Sequence, residues 1–288
     1  MSQLKPDSVI ACLDCPNHVQ AVLDASLWAA ARLQAPIGLL HAAPSLSQKA
    51  AIDYSGCLNI DDESHLLDTF TSHEQLSNAQ LKMKAKALLA DAEAYCEEQQ
   101  HKRKVYALHR HQSLIDSLDY VDNQSRLVVI GHHVTCKPSL SQLIRLSHCP
   151  ILVTHAPFVA PTQALFAFDN RACAQRMLNW LCKTPLVRAL TVHIVMVGKQ
   201  TEENIESLRE AYARLKQAGI ACKKTLIDGR DVTQILSEYQ KEHNIGLLMT
   251  GAFGQSRLFE LIQGSNTKKM LEATKTPYLL FPKVTIDT

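Results

Sequence analysis

Short apolar runs alternate along this chain with longer stretches in which apolar residues recur every third or fourth position. In the C-terminal half the runs fall at 164–168, 190–197, 221–227, 245–250 and 278–281, and each predicts a strand. Helical periodicity fills the intervals, at about 170–184, 202–218, 231–243 and 265–275. Between Lys199 and Leu215, for example, Ile205, Leu208, Ala211, Tyr212 and Leu215 share one face of a polar-rich helix. Strands that read as near-continuous apolar runs are buried on both faces, so the pattern predicts a parallel sheet covered by helices on both sides.

The N-terminal half repeats the C-terminal one. Val9 to Asp14 echoes Ala164 to Asp169, each an apolar run ending in aspartate. Gly38 to His41 is matched with Thr191 to Ile194, Leu127 to Gly131 with Leu247 to Gly251, and Cys149-Pro150 with Thr276-Pro277. The offsets are 169 − 14 = 155, 193 − 41 = 152, 251 − 131 = 120 and 277 − 150 = 127. Their drop places about 32 extra residues in the first half, between His41 and Gly131. Four markers in one order imply duplication. The expected units are 1–157 and 162–288, with the seam at Pro157 to Pro161. An insertion at about 43–75, rich in Ser, Asp and His, is expected as a long surface loop or lid, followed by a helix from about 76 to 99. On the matched pairing His41 and His193 hold equivalent strand positions, which suggests satisfied structural histidines.

Composition narrows the function classes. The 288 residues carry a formal net charge of +2, too little for the basic field of a nucleic-acid or anionic-membrane binder. No stretch offers about 18 uninterrupted apolar residues, so no transmembrane helix is predicted. The nine cysteines are an odd number scattered through apolar stretches, which fits free thiols in a reducing, cytoplasmic setting. Cys12 and Cys15 have redox or zinc spacing, but Cys12 falls inside a strand and no second pair follows.

The candidate chemistry lies at 249–267. A strand ends at Thr250-Gly251; Gly254 follows, then nine residues, then Gly264-Ser265-Asn266-Thr267 opening a helix. Glycines let a backbone approach a ligand, and a helix N-terminus with hydroxyl neighbours suits phosphate. The same glycines would also serve an ordinary tight turn. In the first half Gly131 is followed by His132-His133, and Lys137-Pro138-Ser139 stands where Gly-Ser would begin the helix, so that copy is not expected to cradle phosphates. His132-His133 reads as a loop pair rather than as metal ligands. Asp14 and Asp169 could each cap the helix that follows, aspartate being a favoured N-cap.

On these residues the chain resembles the universal stress protein family in its tandem two-domain form. Gly251, Gly254, Gly264 and Ser265 match the family's Gly-x2-Gly-x9-Gly-(Ser/Thr) motif at every fixed position. The resemblance implies two Rossmann-like α/β domains of the adenine nucleotide alpha hydrolase type, each a parallel five-stranded sheet. It implies ATP or a related adenine nucleotide in the C-terminal domain, with any Mg2+ held mainly by the phosphates. Asp169 would hold the nucleoside end with Ala167 and Phe168 beside it. Ile194 would touch adenine, and Thr250, Gln255, Asn266 and Thr267 would complete the phosphate turn. Two departures stand out: Asp169-Asn170 replaces the frequent Asp-Gly-Ser, and Gln255 stands where relatives often carry a cation. The resemblance further implies an internal pseudo-dimer joined through 151–156 and 278–283, compatible with a homodimer of whole chains. The function implied is regulatory, with at most slow ATP hydrolysis. The alternative is a nucleotide-free scaffold of the same family.

Overall fold

In the computed structural model, residues 7–14, 16–42, 60–99, 102–122, 125–132, 142–143, 146–251 and 276–282 are described. The N-terminal half runs β1 (Ser8–Cys12), α1 (Val19–Leu33), β2 (Ile37–Ala42), α2 (Ile60–Glu98), β3 (Val105–Arg110), α3 (Leu114–Asp122), β4 (Ser125–Gly131) and β5 (Ile151–Thr154). The C-terminal half runs β6 (Gln163–Ala167), α4 (Ala172–Lys183), β7 (Thr191–Val197), α5 (Glu202–Gln217), β8 (Cys222–Ile227), α6 (Val232–Glu242), β9 (Leu247–Gly251) and β10 (Tyr278–Phe281).

The strands join in one ten-stranded sheet, ordered β3-β2-β1-β4-β5-β10-β9-β6-β7-β8. Each half is parallel within itself, and the halves meet where β10 pairs antiparallel with β5, Leu279 opposite Leu152. This is the pairing of last strands that the resemblance implies. The apolar runs predicted as strands are buried on both faces, in clusters built around Val9, Phe166 and Met249 on one side and Ile10, Leu165 and Leu248 on the other. Small residues bring α1 close to the sheet: Ala21, Ala25 and Ala29 are all but inaccessible. Thr201 caps α5 by accepting from the Asn204 amide, and Asp231 caps α6 by accepting from Gln234. At the outer edge, β8 exposes Lys223 and Lys224, charges that discourage another strand from adding there.

Strand register tests the repeat residue by residue. Cys12 pairs with Leu40 and Ala167 with Val195, so the second strands are offset by 195 − 40 = 155, as the first strands are. The expected offset of 152 is therefore wrong by three. His193 corresponds to Gly38, and His41 corresponds to Met196, so the two histidines are not equivalent. The offsets of 120 and 127 agree with the register of the last two strands: Val128 and Leu248 hold matching places, as do Ile151 and Tyr278. The region expected as a loop at 43–75 also needs correcting, because α2 begins at Ile60 and occupies its second part. The predicted helix at 265–275 lies outside the described residues.

Candidate functional site

In each half the chain builds outward from its first strand to one side and then crosses to the other, so strand order reverses at β1/β4 and at β6/β9. Ligands of open α/β sheets bind at the carboxyl ends of strands at such a reversal. Asp169, just beyond β6, and Gly251, ending β9, flank this crevice in the C-terminal half. Asp14 and Gly131 flank its counterpart.

The two aspartates are treated differently. Asp14 does not cap a helix: it reaches across to β2, where its Oδ1 accepts from the Ala42 amide at 3.1 Å. Burial pushes its pKa from 3.8 up to about 6, against the pull of that amide. Asp169 instead accepts from the Arg171 amide at 3.1 Å and lies 3.9 Å from the Arg171 guanidinium, with its side chain 32% exposed. Because Arg171 is the N-cap residue of α4, Asp169 shapes the approach to the helix. Asn170 between them takes a positive φ of 58° and donates to Ser207, linking this turn to α5.

Ala167 and Phe168 are buried at the top of β6, and the Phe168 amide donates to the Val195 carbonyl at 3.0 Å. Ile194 requires a correction. It pairs with Phe166, below the sheet edge, and its side chain is inaccessible within the core. The residue that stands where Ala42 stands in the first half is Val197, since 197 − 155 = 42. Val197 is the functional candidate that the sequence matching missed, and the unbroken offset of 155 is the signal that finds it.

Thr250 is buried, with its hydroxyl donating to the Gly251 carbonyl at 3.2 Å. A Cβ on Gly251 would lie 2.8 Å from Cys173 Sγ and 3.0 Å from Cys173 Cβ, in the first turn of α4. A Cβ on Gly131 would lie 2.6 Å from His18 Cβ, the matching residue before α1 (173 − 155 = 18). Both glycines are thus demanded by a helix pressed against the strand end, which accounts for Gly131 surviving where the rest of the motif is gone. Gly254, Gln255, Gly264, Ser265, Asn266 and Thr267 lie outside the described residues, as do Cys15 and His133.

The histidines have separate roles. His193 is buried and bonded on both ring nitrogens, Nδ1 with Tyr239 Oη and Nε2 with Gln163 Oε1, each at 3.0 Å. His132 stacks on His155 with ring centroids 4.3 Å apart. His41 and His109 face one another at the carboxyl end of β2 and β3, Nδ1 to Nδ1 at 3.3 Å. Among the described residues, no group of three or more His, Cys, Asp or Glu side chains is placed to hold a metal ion. Among them, too, no helix is long and apolar enough to cross a membrane.

Comparison with known proteins agrees with this architecture. The sequence model described as "Universal stress protein family" matches residues 194–282. Universal stress protein Slr1230 of Synechocystis sp. is 29% identical over 286 residues, spanning 95% of this chain and 99% of its own. The crystal structure of a universal stress protein from Archaeoglobus fulgidus DSM 4304 superposes with a TM-score of 0.61 at 14% identity, covering 96% of this chain and 97% of that one. A Pseudomonas aeruginosa UCBPP-PA14 chain given the same family name has a TM-score of 0.55 at 14% identity, covering 96% and 93%. At such identities the structural likeness speaks for the fold.

Proposed function

We propose that the chain is a universal stress protein, in keeping with the family-model match over residues 194–282 and the 29% identical relative, and that its C-terminal unit binds ATP or a related adenine nucleotide in the β6/β9 crevice. The observation that carries this reading is the contrast between the two copies of the crevice. In the first, the part-buried Asp14 accepts from the Ala42 amide on the neighbouring strand; in the second, Asp169 bonds back to Arg171 and keeps its carboxylate partly exposed. A nucleoside entering the second crevice meets that carboxylate beside the Val197 main chain. The phosphates then extend toward Gly251, where the Gly-x2-Gly-x9-Gly-Ser motif begins. Asp169 and Val197 suit the nucleoside end. The turn carrying Gly264 and Ser265 would hold the phosphates, and Mg2+ would be bound by phosphate and water oxygens.

The role we assign is regulatory: occupancy of the C-terminal unit changes what the protein associates with, and any hydrolysis is slow. The rival scaffold reading has one observation in its favour, that close packing on Cys173 already accounts for Gly251. Thermal unfolding of the full chain with Mg-ATP separates the two. Ligand at a hundred times its Kd stabilises the folded state by about 2.7 kcal/mol. Native protein should shift, Gly264→Val and Asp169→Ala should lose most of the shift, and Asp14→Asn should keep it. No shift of native protein at millimolar ATP rejects the reading.

A further inference from the structure

We propose that His41 and His109 form a two-histidine clip for a divalent transition-metal ion such as Zn2+, at the carboxyl edge of the N-terminal half-sheet. The two residues are directly opposite partners on adjacent parallel strands, so the ladder itself fixes their spacing. Their side chains stand on the same face, with ring centroids 5.3 Å apart and planes inclined by 37°. The Nδ1 atoms approach to 3.3 Å. In the metal-free protein, one imidazole N–H donating to the other ring nitrogen fits this distance. The distance also matches the span of about 3.3–3.4 Å between two imidazole nitrogens bound to one tetrahedral Zn2+ at about 2.0–2.1 Å each.

The surroundings suit neutral imidazoles. Burial pushes the pKa of both histidines down, and the charges of His111, His41 and Lys82 push His109 further, while a hydrogen bond with the His41 backbone opposes this in each. That direction favours the neutral rings that metal binding requires. Imidazole nitrogen favours Zn2+, Ni2+ or Cu2+ over Mg2+ or Ca2+. Two protein ligands leave the other coordination positions to water or to an anionic group, which the nearby Lys82 ammonium would favour. His111 is exposed, its ring packed edge-on against His109 at 4.5 Å. The C-terminal copy has no such pair: Met196 and Leu226 hold the matching strand positions, as 41 + 155 = 196 and His109 shares its place in β3 with Leu226 in β8. Duplication thus left the nucleotide motif in one copy and the histidine pair in the other.

The test uses the full chain after chelator treatment, titrated with Zn2+ by calorimetry and with Co2+ by visible absorption. One equivalent should bind with micromolar Kd, and the cobalt spectrum should be tetrahedral without thiolate charge transfer. His41→Ala and His109→Ala should each weaken binding tenfold or more. If either variant folds poorly by circular dichroism, paramagnetic broadening of the His41 and His109 ring protons by Co2+ in the native chain gives the same answer. Absence of stoichiometric uptake, uptake unchanged in both variants, a thiolate band, or ring signals left sharp at saturation overturns the proposal.

Discussion

Replacing Asp14 by Asn isolates the cost of a part-buried carboxyl. In the folded chain its pKa stands at about 6, against 3.8 for an ordinary aspartate. The folded state therefore holds the proton more tightly than the unfolded chain does. Its contribution to stability is complete below pH 3.8 and is lost as pH rises through 6. At about 1.36 kcal/mol per pH unit, the difference of about 2.2 units makes the loss roughly 3 kcal/mol by pH 8. For a chain of this size that corresponds to roughly 6–12 °C in Tm. Asparagine keeps an oxygen to accept from the Ala42 amide but has no proton to lose. Urea or thermal unfolding of both proteins between pH 4.5 and 8 checks this. The native protein should fall relative to Asp14→Asn by roughly 2 kcal/mol across that range, about the first 1 kcal/mol having been lost below pH 4.5, with most of the change between pH 4.5 and 7. Parallel pH curves for the two proteins would refute the claim that burial raises the Asp14 pKa.

Gly251→Ala should destabilise by about 1–3 kcal/mol through overlap with Cys173, and Cys173→Ala should recover part of the loss in urea titration because Sγ makes the shorter contact. His193→Ala leaves Tyr239 and Gln163 without their shared partner and should cost about 2–4 kcal/mol by the same assay. Burial lowers the His193 pKa, so the unfolded chain takes up its proton first. The His193 contribution is present above pH 6.5 and declines as pH falls through the lowered value, and His193→Phe should remove that slope. Tyr278 Oη is buried at the seam without a hydrogen-bond partner among the described residues, so Tyr278→Phe should leave stability unchanged or raise it by about 1 kcal/mol; a clear loss would reveal a partner.

Periodicity carried most of the fold. The strand runs and the three described helices of the C-terminal half fell within two residues of their predicted limits, because strands buried on both faces cannot disguise their composition. The repeat was legible too, except in β7. There Thr191 to Val197 is apolar at nearly every position, so composition alone cannot tell one register from another three residues away. Matching on a shared histidine chose the wrong one and advanced Ile194 in place of Val197. Backbone pairing removes the ambiguity because Phe166 can stand opposite only one residue. Asp14 was misread for a related reason. An aspartate after a strand and before a helix has the local signature of a cap, while its true partner, the Ala42 amide, lies on another strand. The Asp, Ser and His content of 43–75 suggested a loop, yet a weakly amphipathic helix begins at Ile60.

The antiparallel join of β5 and β10 determines how the two crevices can influence each other. Parallel strands within each half send their carboxyl ends to one rim, so reversing direction at the seam puts the two crevices on opposite rims of the sheet. A nucleotide beside Gly251 and a metal ion between His41 and His109 could not touch. Any coupling must pass through the backbone that joins them. The C-terminal crevice is well placed to act on that backbone, since Gly251 pairs with Phe281 in β10 and the Cys173 thiol donates toward the Phe281 carbonyl at 3.5 Å. A shift of α4 on binding would reach β10 directly, and β10 is the strand to which β5 is bonded. The first half offers its own connection, because the amide of His132 donates to the Thr154 carbonyl at the end of β5. The seam is therefore both what holds the halves together and the path by which occupancy of one would be felt by the other.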